Sequence, residues 1–165
     1  MDLISVERIK LLHPVVRAKA LQGLELADKH IGKNRIRYTQ TIRAFKEQAD
    51  LFALGRSKAG KIVTNASAGR SYHNYGLAID FCLIAPDGKN ISWSRTEDLD
   101  KDGKADWGEF AAIMEGLGFE WGGRWKFKDY PHLELNRING VRYTIGSLLE
   151  RHNQKKVDEN GFIIL

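Results

Sequence analysis

Two histidines and two aspartates are spaced for metal-assisted hydrolysis: His73 and Asp80 on either side of Gly76, and Asp129 three residues before His132. The chain can turn back at Gly76, and Asp80 follows on an alternating apolar run, so the imidazole and the carboxylate can meet on one side. With His132 they offer two nitrogens and one carboxylate oxygen, three protein ligands for a zinc ion with the fourth tetrahedral position left to water. Three ligands and an open position make a catalytic site, whereas a structural zinc is closed by four. A base must still take a proton from the attacking water, and Asp129 is spaced to hang beside the metal for that purpose. The plainer reading of the same residues is a pair of strand histidines hydrogen-bonded within a core.

The elements that must hold these groups can be read from periodicity. From Leu77 to Leu83 the residues alternate, Leu77, Ile79, Phe81 and Leu83 toward one face of a strand and Ala78, Asp80 and Cys82 toward the other. An aspartate with a core behind it is costly unless a cationic or hydrogen-bonding group meets it. A second short strand near His132 puts His132 and Glu134 on one face and Leu133 and Leu135 on the other. Ile36 to Ile42 reads as a further strand, followed at once by a helix from Arg43 to Gly55 whose buried face is expected at Phe45, Ala49, Phe52 and Ala53. Arg43 lies at that junction, where it can project into a cleft or serve as a salt-bridged surface residue.

The rest of the chain supplies walls and supports. Ser5 to His30 is helical in period, with Pro14 a break or the first turn of a second helix. Ser57 to Gly69 is a loop, and Pro86 to Lys89 a turn from which Asn90 to Trp93 returns as a hairpin strand. Phe119 to Trp125 is aromatic and glycine-rich, suited to a cleft wall or to a structural aromatic cluster. Ile145 to His152 is helical, and the apolar end Phe162 to Leu165 is expected to pack on the domain. The expected fold is α+β: one domain over 1–165, core about 36–135, with an antiparallel sheet carrying the zinc site and helices packed on it.

A second constellation is acidic. Asp98, Asp100 and Asp102, then Gly103, the Lys104 carbonyl, Asp106 and Glu109 match the twelve-position calcium loop place for place. A helix follows from Trp107, but the preceding segment reads as extended. The alternative is an acidic surface turn with Asp106 as the N-cap of that helix.

Composition sets limits. At 165 residues and 42% apolar content, one domain can bury a full core, and the single cysteine, Cys82, reads as a small buried residue. No run approaches the roughly 18 apolar residues of a membrane helix, and the first twenty residues lack the apolar stretch of a signal peptide. The expectation is a monomer made in the cytoplasm. The net charge of +5 favours anionic partners, but the basic residues are scattered and carry no nucleic-acid motif.

Ser71-Tyr-His-Asn-Tyr-Gly-Leu-Ala-Ile-Asp-Phe81, with Asp129-Tyr-Pro-His132 downstream, resembles the signature of zinc peptidoglycan peptidases related to VanY-type D-alanyl-D-alanine carboxypeptidases. The resemblance is closer to their L-alanyl-D-glutamate endopeptidase branch, found in bacterial wall enzymes and phage endolysins. It runs from about Thr39 to Leu135 and includes Thr41 to Gln48, Gly55-Arg56 and Trp121 to Trp125. It implies His73, Asp80 and His132 as zinc ligands, Asp129 as the base, and Arg43 as the group that meets the polarised carbonyl or a substrate carboxylate. It further implies Ser71, Tyr72, Gln48, Trp121 and Arg124 as substrate contacts. Many relatives use glutamate as the base, and this chain has the shorter aspartate. The implied function is zinc-dependent hydrolysis of a peptidoglycan stem peptide at the cell wall, after release from the cytoplasm. Two alternatives are the D-alanyl-D-alanine carboxypeptidase reaction and a non-catalytic metal-binding module of a phage particle.

Overall fold

Proline lacks a backbone donor and fits the first turn of a helix, where no donor is needed. The chain uses Pro14 in that way: the computed structural model, which describes residues 1–165, has α1 (Leu3–Ile9) and then α2 (Pro14–His30). The Nδ1 atom of His13 accepts from Val15 N–H and so caps α2. The side chain of Asp2 caps α1 at Ser5 and pairs with Arg37 at 2.8 Å, fixing α1 against the first strand.

That strand is β1 (Ile36–Gln40), and α3 (Phe45–Ala53) follows it. Next come β2 (Ala78–Ile84), β3 (Ile91–Ser92), α4 (Asp106–Gly116), β4 (Glu120–Trp121), β5 (His132–Glu134), the small hairpin β6 (Arg137–Ile138) and β7 (Val141–Arg142), and α5 (Ile145–Asn153). The main sheet is antiparallel in the order β1, β2, β5, β4. β1 runs along one edge of β2, while β5 pairs with its start and β3 with its end. The core lies between this sheet and the helices, where Phe81 stacks against Trp107 and Phe110 at centroid distances of 4.7 and 4.8 Å. Each such fully buried aromatic contributes roughly 1.5–3 kcal/mol. Tyr38, fully buried, donates its hydroxyl to Ala20 O at 2.8 Å and ties the sheet to α2.

Three local expectations are corrected. β1 ends at Gln40 rather than Ile42, after a bulge between Tyr38 and Gln40, because the carbonyl of Thr41 turns to the ring of His73. On α3 the fully buried residue is Gln48, while Ala49 is exposed and Phe45 and Phe52 are only half-buried. α4 begins at Asp106 with Ala105 in the cap position, and the Asp106 carboxylate reaches back to Leu99 N–H instead of capping the helix. The apolar tail packs as expected: Ile163 is buried, and its carbonyl accepts from His13 Nε2 at 2.8 Å. Cys82 is fully buried, and its thiol is pushed up to about 11 by burial.

Candidate metal centre

Strand register decides the first pair. Asp80 on β2 lies directly opposite His132 on β5, so both side chains leave the sheet on one face, while the next pair, Ile79 and Leu133, enters the core. The third member arrives by a turn. Tyr72–Tyr75 forms a short 3-10 helix that ends at Gly76 in the left-handed region, φ 66°. A side chain at Gly76 would be strained there, and its Cβ would stand 2.7 Å from His13 N.

This turn is locked to the end of β1. Ser71 Oγ accepts from His73 N–H, Asn74 Oδ1 accepts from Gly69 and Ser71 N–H, and Asn74 Nδ2 donates to Arg43 O at 2.9 Å. Arg43 N–H donates to His73 O at 3.0 Å. One set of bonds therefore brings Arg43 and His73 to the same place.

Three donor atoms converge. His73 Nε2 lies 3.1 Å from Asp80 Oδ1 and 3.2 Å from His132 Nδ1, and the third edge, His132 Nδ1 to Asp80 Oδ1, is 3.2 Å. The outer nitrogens fix the tautomers: His73 Nδ1–H donates to Thr41 O at 2.7 Å, and His132 Nε2–H donates to Glu134 Oε2 at 3.1 Å. Both inner nitrogens are then bare lone pairs aimed at a carboxylate oxygen, a set that repels itself unless a cation sits among it. Tetrahedral zinc with bonds of about 2.0–2.1 Å sets neighbouring ligands about 3.3 Å apart, which fits this triangle. Burial opposes the charge on His132, but Asp80 and Glu134 outweigh it and lift His132 to about 9. Burial likewise opposes the charge on Asp80, and His73 and His132 hold its carboxyl well below the usual carboxylate range.

Asp129 lies beside this cluster, on the loop from Gly122 to His132. Gly122 O accepts from both Trp125 and Asp129 N–H at 3.1 Å, which closes the loop. A Cβ at Gly122 would meet Asp129 O at 2.5 Å, so only glycine permits the approach. The indoles of Trp107 and Trp121 both donate to Tyr130 O, at 3.2 and 2.7 Å, and hold the segment that leads into β5. Asp129 is exposed as a residue, yet partial desolvation raises its pKa. The charge of Asp80 adds to that rise, and those of His132, His73 and Arg43 oppose it.

Arg43 is largely buried. Its Nη1 donates to Gln48 Oε1 at 3.0 Å, its Nη2 lies 3.6 Å from Asp80 Oδ2, and its Nε has no partner. Gln48 is fully buried and its amide also donates to Ala66 O at 2.7 Å, so it reaches the cleft only through Arg43. Tyr72 donates to Tyr143 O, Trp121 is half-buried, and the exposed Arg124 forks onto Glu115 with two bonds of 3.1 Å. Ser71, Tyr72 and Trp121 thus flank or support the centre, and Arg124 is engaged on the surface.

The acidic loop lies apart from this cluster. Asp98 accepts from Asp102 and Gly103 N–H, Asp102 accepts from Lys104 N–H, and Asp106 is fully buried. Carboxylate oxygens of Asp98, Asp100 and Asp106, and of Asp100, Asp102 and Glu109, lie within 4.8 Å of one another. Burial, aided by the charge of Asp100, pushes Asp106 up to about 6.

The model of the D-alanyl-D-alanine carboxypeptidase family matches residues 64–135, the span that holds His73, Asp80, Asp129 and His132. Over 125 residues the chain is 51% identical to the peptidoglycan L-alanyl-D-glutamate endopeptidase CwlK of Bacillus subtilis, covering 75% of this chain and 73% of that protein. The chain belongs to this metallopeptidase family, in its L-alanyl-D-glutamate endopeptidase branch. An L-alanyl-D-glutamate peptidase of a Listeria phage is 38% identical over 118 residues, 71% of this chain and 36% of that protein. In fold the chain is similar to the Serratia marcescens L-Ala D-Glu endopeptidase ChiX, with a TM-score of 0.54, 22% identity, and coverage of 82% of this chain and 88% of that one.

Sequence reasoning passed over several groups at the centre of this metallopeptidase. Thr41 serves through its carbonyl, which no side-chain pattern announces. Trp125, expected only as part of an aromatic cleft wall or cluster, lies against the ring of His132, 5.2 Å between centroids. Glu134 had a visible signal, since it shares a strand face with His132 two residues away.

Proposed function

We propose that this chain is a zinc peptidase that hydrolyses the L-alanyl-D-glutamate bond of peptidoglycan stem peptides at the bacterial cell wall. The observation that carries the reading is the triangle of His73 Nε2, His132 Nδ1 and Asp80 Oδ1, with both imidazole tautomers fixed from behind. The activities of the Bacillus and Listeria phage relatives support the choice of bond.

His73, Asp80 and His132 would hold the zinc. When bound there, the metal supplies a Lewis acid that lowers the pKa of water to about 7 and polarises a carbonyl. Asp129, whose raised pKa makes it a better proton acceptor than an ordinary aspartate, takes the proton of the attacking water and passes it to the leaving nitrogen. Arg43, held by Gln48, presents positive charge beside Asp80 where the carbonyl oxygen gains negative charge. All of these groups come from one chain, and we read the active form as a monomer without a nucleic-acid partner. No helix is long and apolar enough to cross a membrane.

Calcium at the acidic loop belongs to the same reading. Oε2 of Glu97 and Oε2 of Glu109 are buried without partners at the two flanks of the loop, and the loop carboxylates crowd one another. A hard cation with oxygen ligands would relieve both conditions.

Mass spectrometry of purified muropeptides after incubation with the zinc-loaded protein tests the function. Products split between L-alanine and D-glutamate are expected. Release of terminal D-alanine alone would assign the D-alanyl-D-alanine carboxypeptidase reaction instead, and intact muropeptides would leave a metal-binding module.

A further inference from the structure

His132 is braced from behind by a chain of buried and half-buried polar groups. Glu134 Oε2 accepts from its Nε2–H, and Glu134 Oε1 accepts from Asn136 Nδ2 at 3.0 Å. The same Asn136 amide donates to Glu120 Oε2 at 2.7 Å, and Glu120 Oε1 accepts from Trp125 Nε1 at 2.8 Å. Trp125 returns to pack on the ring of His132, so the circuit closes on the residue where it began. His132, Glu134 and Asn136 are all buried, with exposures of 7%, 7% and 8%.

Two carboxylates sharing one amide in a buried place need a reason. The bond from Asn136, with help from Trp125, keeps Glu120 ionised, its carboxyl below the usual range despite partial burial. Hydrophobic residues could have filled the same volume without the desolvation cost of such a network. What the network does is orient. A neutral imidazole can carry its proton on either nitrogen, and only a proton on Nε2 leaves Nδ1 bare toward His73 and Asp80. Glu134 accepts only while the proton is there. Asn136 in turn stops Glu134 from swinging away, and it cannot flip without turning its carbonyl oxygen toward Glu120.

The circuit also joins two parts of the centre. Trp125 belongs to the loop that Gly122 closes and that ends at Asp129. The position of that loop and the ring plane of His132 are therefore tied to the same circuit.

We propose that Glu134 is a positioning residue that, with Asn136, Glu120 and Trp125, holds His132 in its metal-binding tautomer and ties it to the loop bearing Asp129. The inference rests on the reading of His73, Asp80 and His132 as a zinc site. Carboxylate partners behind a metal-bound histidine change metal affinity by about ten- to a hundredfold when removed.

The test is zinc affinity, measured by chelator competition on full-length wild type, Glu134→Gln and Glu134→Ala, with circular dichroism to establish folding. The expected order is wild type, then Glu134→Gln, then Glu134→Ala, the last weakened about ten- to a hundredfold. Glutamine keeps an acceptor for His132 but sets its own amide against that of Asn136, so it should rescue in part. In nitrogen-15 spectra of the zinc-loaded wild type, His132 should show a protonated, exchange-protected Nε2, and Glu134→Ala should lose that protection. A purely structural Glu134 would lower the melting temperature yet leave the zinc affinity of the folded variants equal to that of wild type, and that result overturns the proposal. If Glu134→Ala does not fold, the comparison of Glu134→Gln with wild type decides by the same measurement. A wild type that binds no zinc would overturn the metal-site reading itself, which separates the two failures.

Discussion

Asp80 and His132 face each other across β2 and β5, with Oδ1 and Nδ1 3.2 Å apart, and this one cross-strand pair sets the spacing of the whole candidate metal centre. His73 needs only to reach a point already defined by the sheet. Each of the three supplies one of only three donor atoms, so removal of any one should be equally damaging. His73→Ala, Asp80→Ala and His132→Ala are each expected to lose zinc and wall lysis together, read by metal analysis and by turbidity of a cell-wall suspension. Full zinc occupancy in all three would refute the site.

Asp129→Ala should separate binding from turnover. In the proposed reading the aspartate is base and not ligand, so the variant should keep zinc while kcat falls by about 10²–10⁴. Zinc loss in this variant would mean that ligand and base have been exchanged in the assignment.

Gly122→Ala attacks the same base from behind. The added Cβ would stand 2.5 Å from Asp129 O, so the loop must move. A shift on the order of 1 Å in a group of this kind costs about a hundredfold in rate. Zinc affinity should change far less than kcat, and a variant with wild-type kcat would show that the Gly122 contact does not set the position of Asp129.

Gln48→Leu should act through Arg43. The variant loses the acceptor at 3.0 Å from Arg43 Nη1 and the donor to Ala66 O, leaving one N–H and one carbonyl unmatched, at a stability cost of about 1–3 kcal/mol. The expected kinetic outcome is a lower kcat with zinc occupancy unchanged. Unaltered steady-state kinetics in the folded variant would remove Gln48 and its hold on Arg43 from the account.

The acidic loop calls for a calcium titration of the zinc-loaded protein. Wild type should bind calcium and melt at a higher temperature in its presence, and Asp98→Ala and Glu109→Ala should abolish both effects. Absence of binding heat and of any melting shift at millimolar calcium would reduce the loop to an acidic turn before α4.

His13 gives a pH dependence with a definite sign. Burial lowers its pKa, with the Ile163 carbonyl opposing, and the neutral ring both donates to Ile163 and caps α2 at Val15. Below about pH 6.5 the unfolded chain takes a proton that the folded chain resists, so this contribution is present above that pH and is lost on acidification. His13→Asn keeps a capping side chain without the titration, and its melting temperature should fall less than that of wild type between pH 7.5 and pH 5. Parallel slopes would show that His13 does not govern the acid response.

The candidate ligand set was legible in the order of the residues because residue type and two regular periods bring His73, Asp80 and His132 into one group that could hold a metal. The period-2 run from Leu77 to Leu83 sends Asp80 away from the core, and the same period sets His132 beside Glu134. Glycine at position 76 marks the turn that brings His73 back. The relation of the two strands was not legible, because the register that sets Asp80 opposite His132 comes from pairing between segments far apart in the chain. The buried face of α3 was misread for a related reason. Apolar periodicity selected Ala49, but the packing of α3 depends on a polar requirement, the amide that Arg43 and Ala66 demand of Gln48. Backbone groups such as the Thr41 carbonyl, and second partners such as Asn136 and Glu120, become visible only after folding. Their role comes from position in three dimensions, and every residue carries a carbonyl.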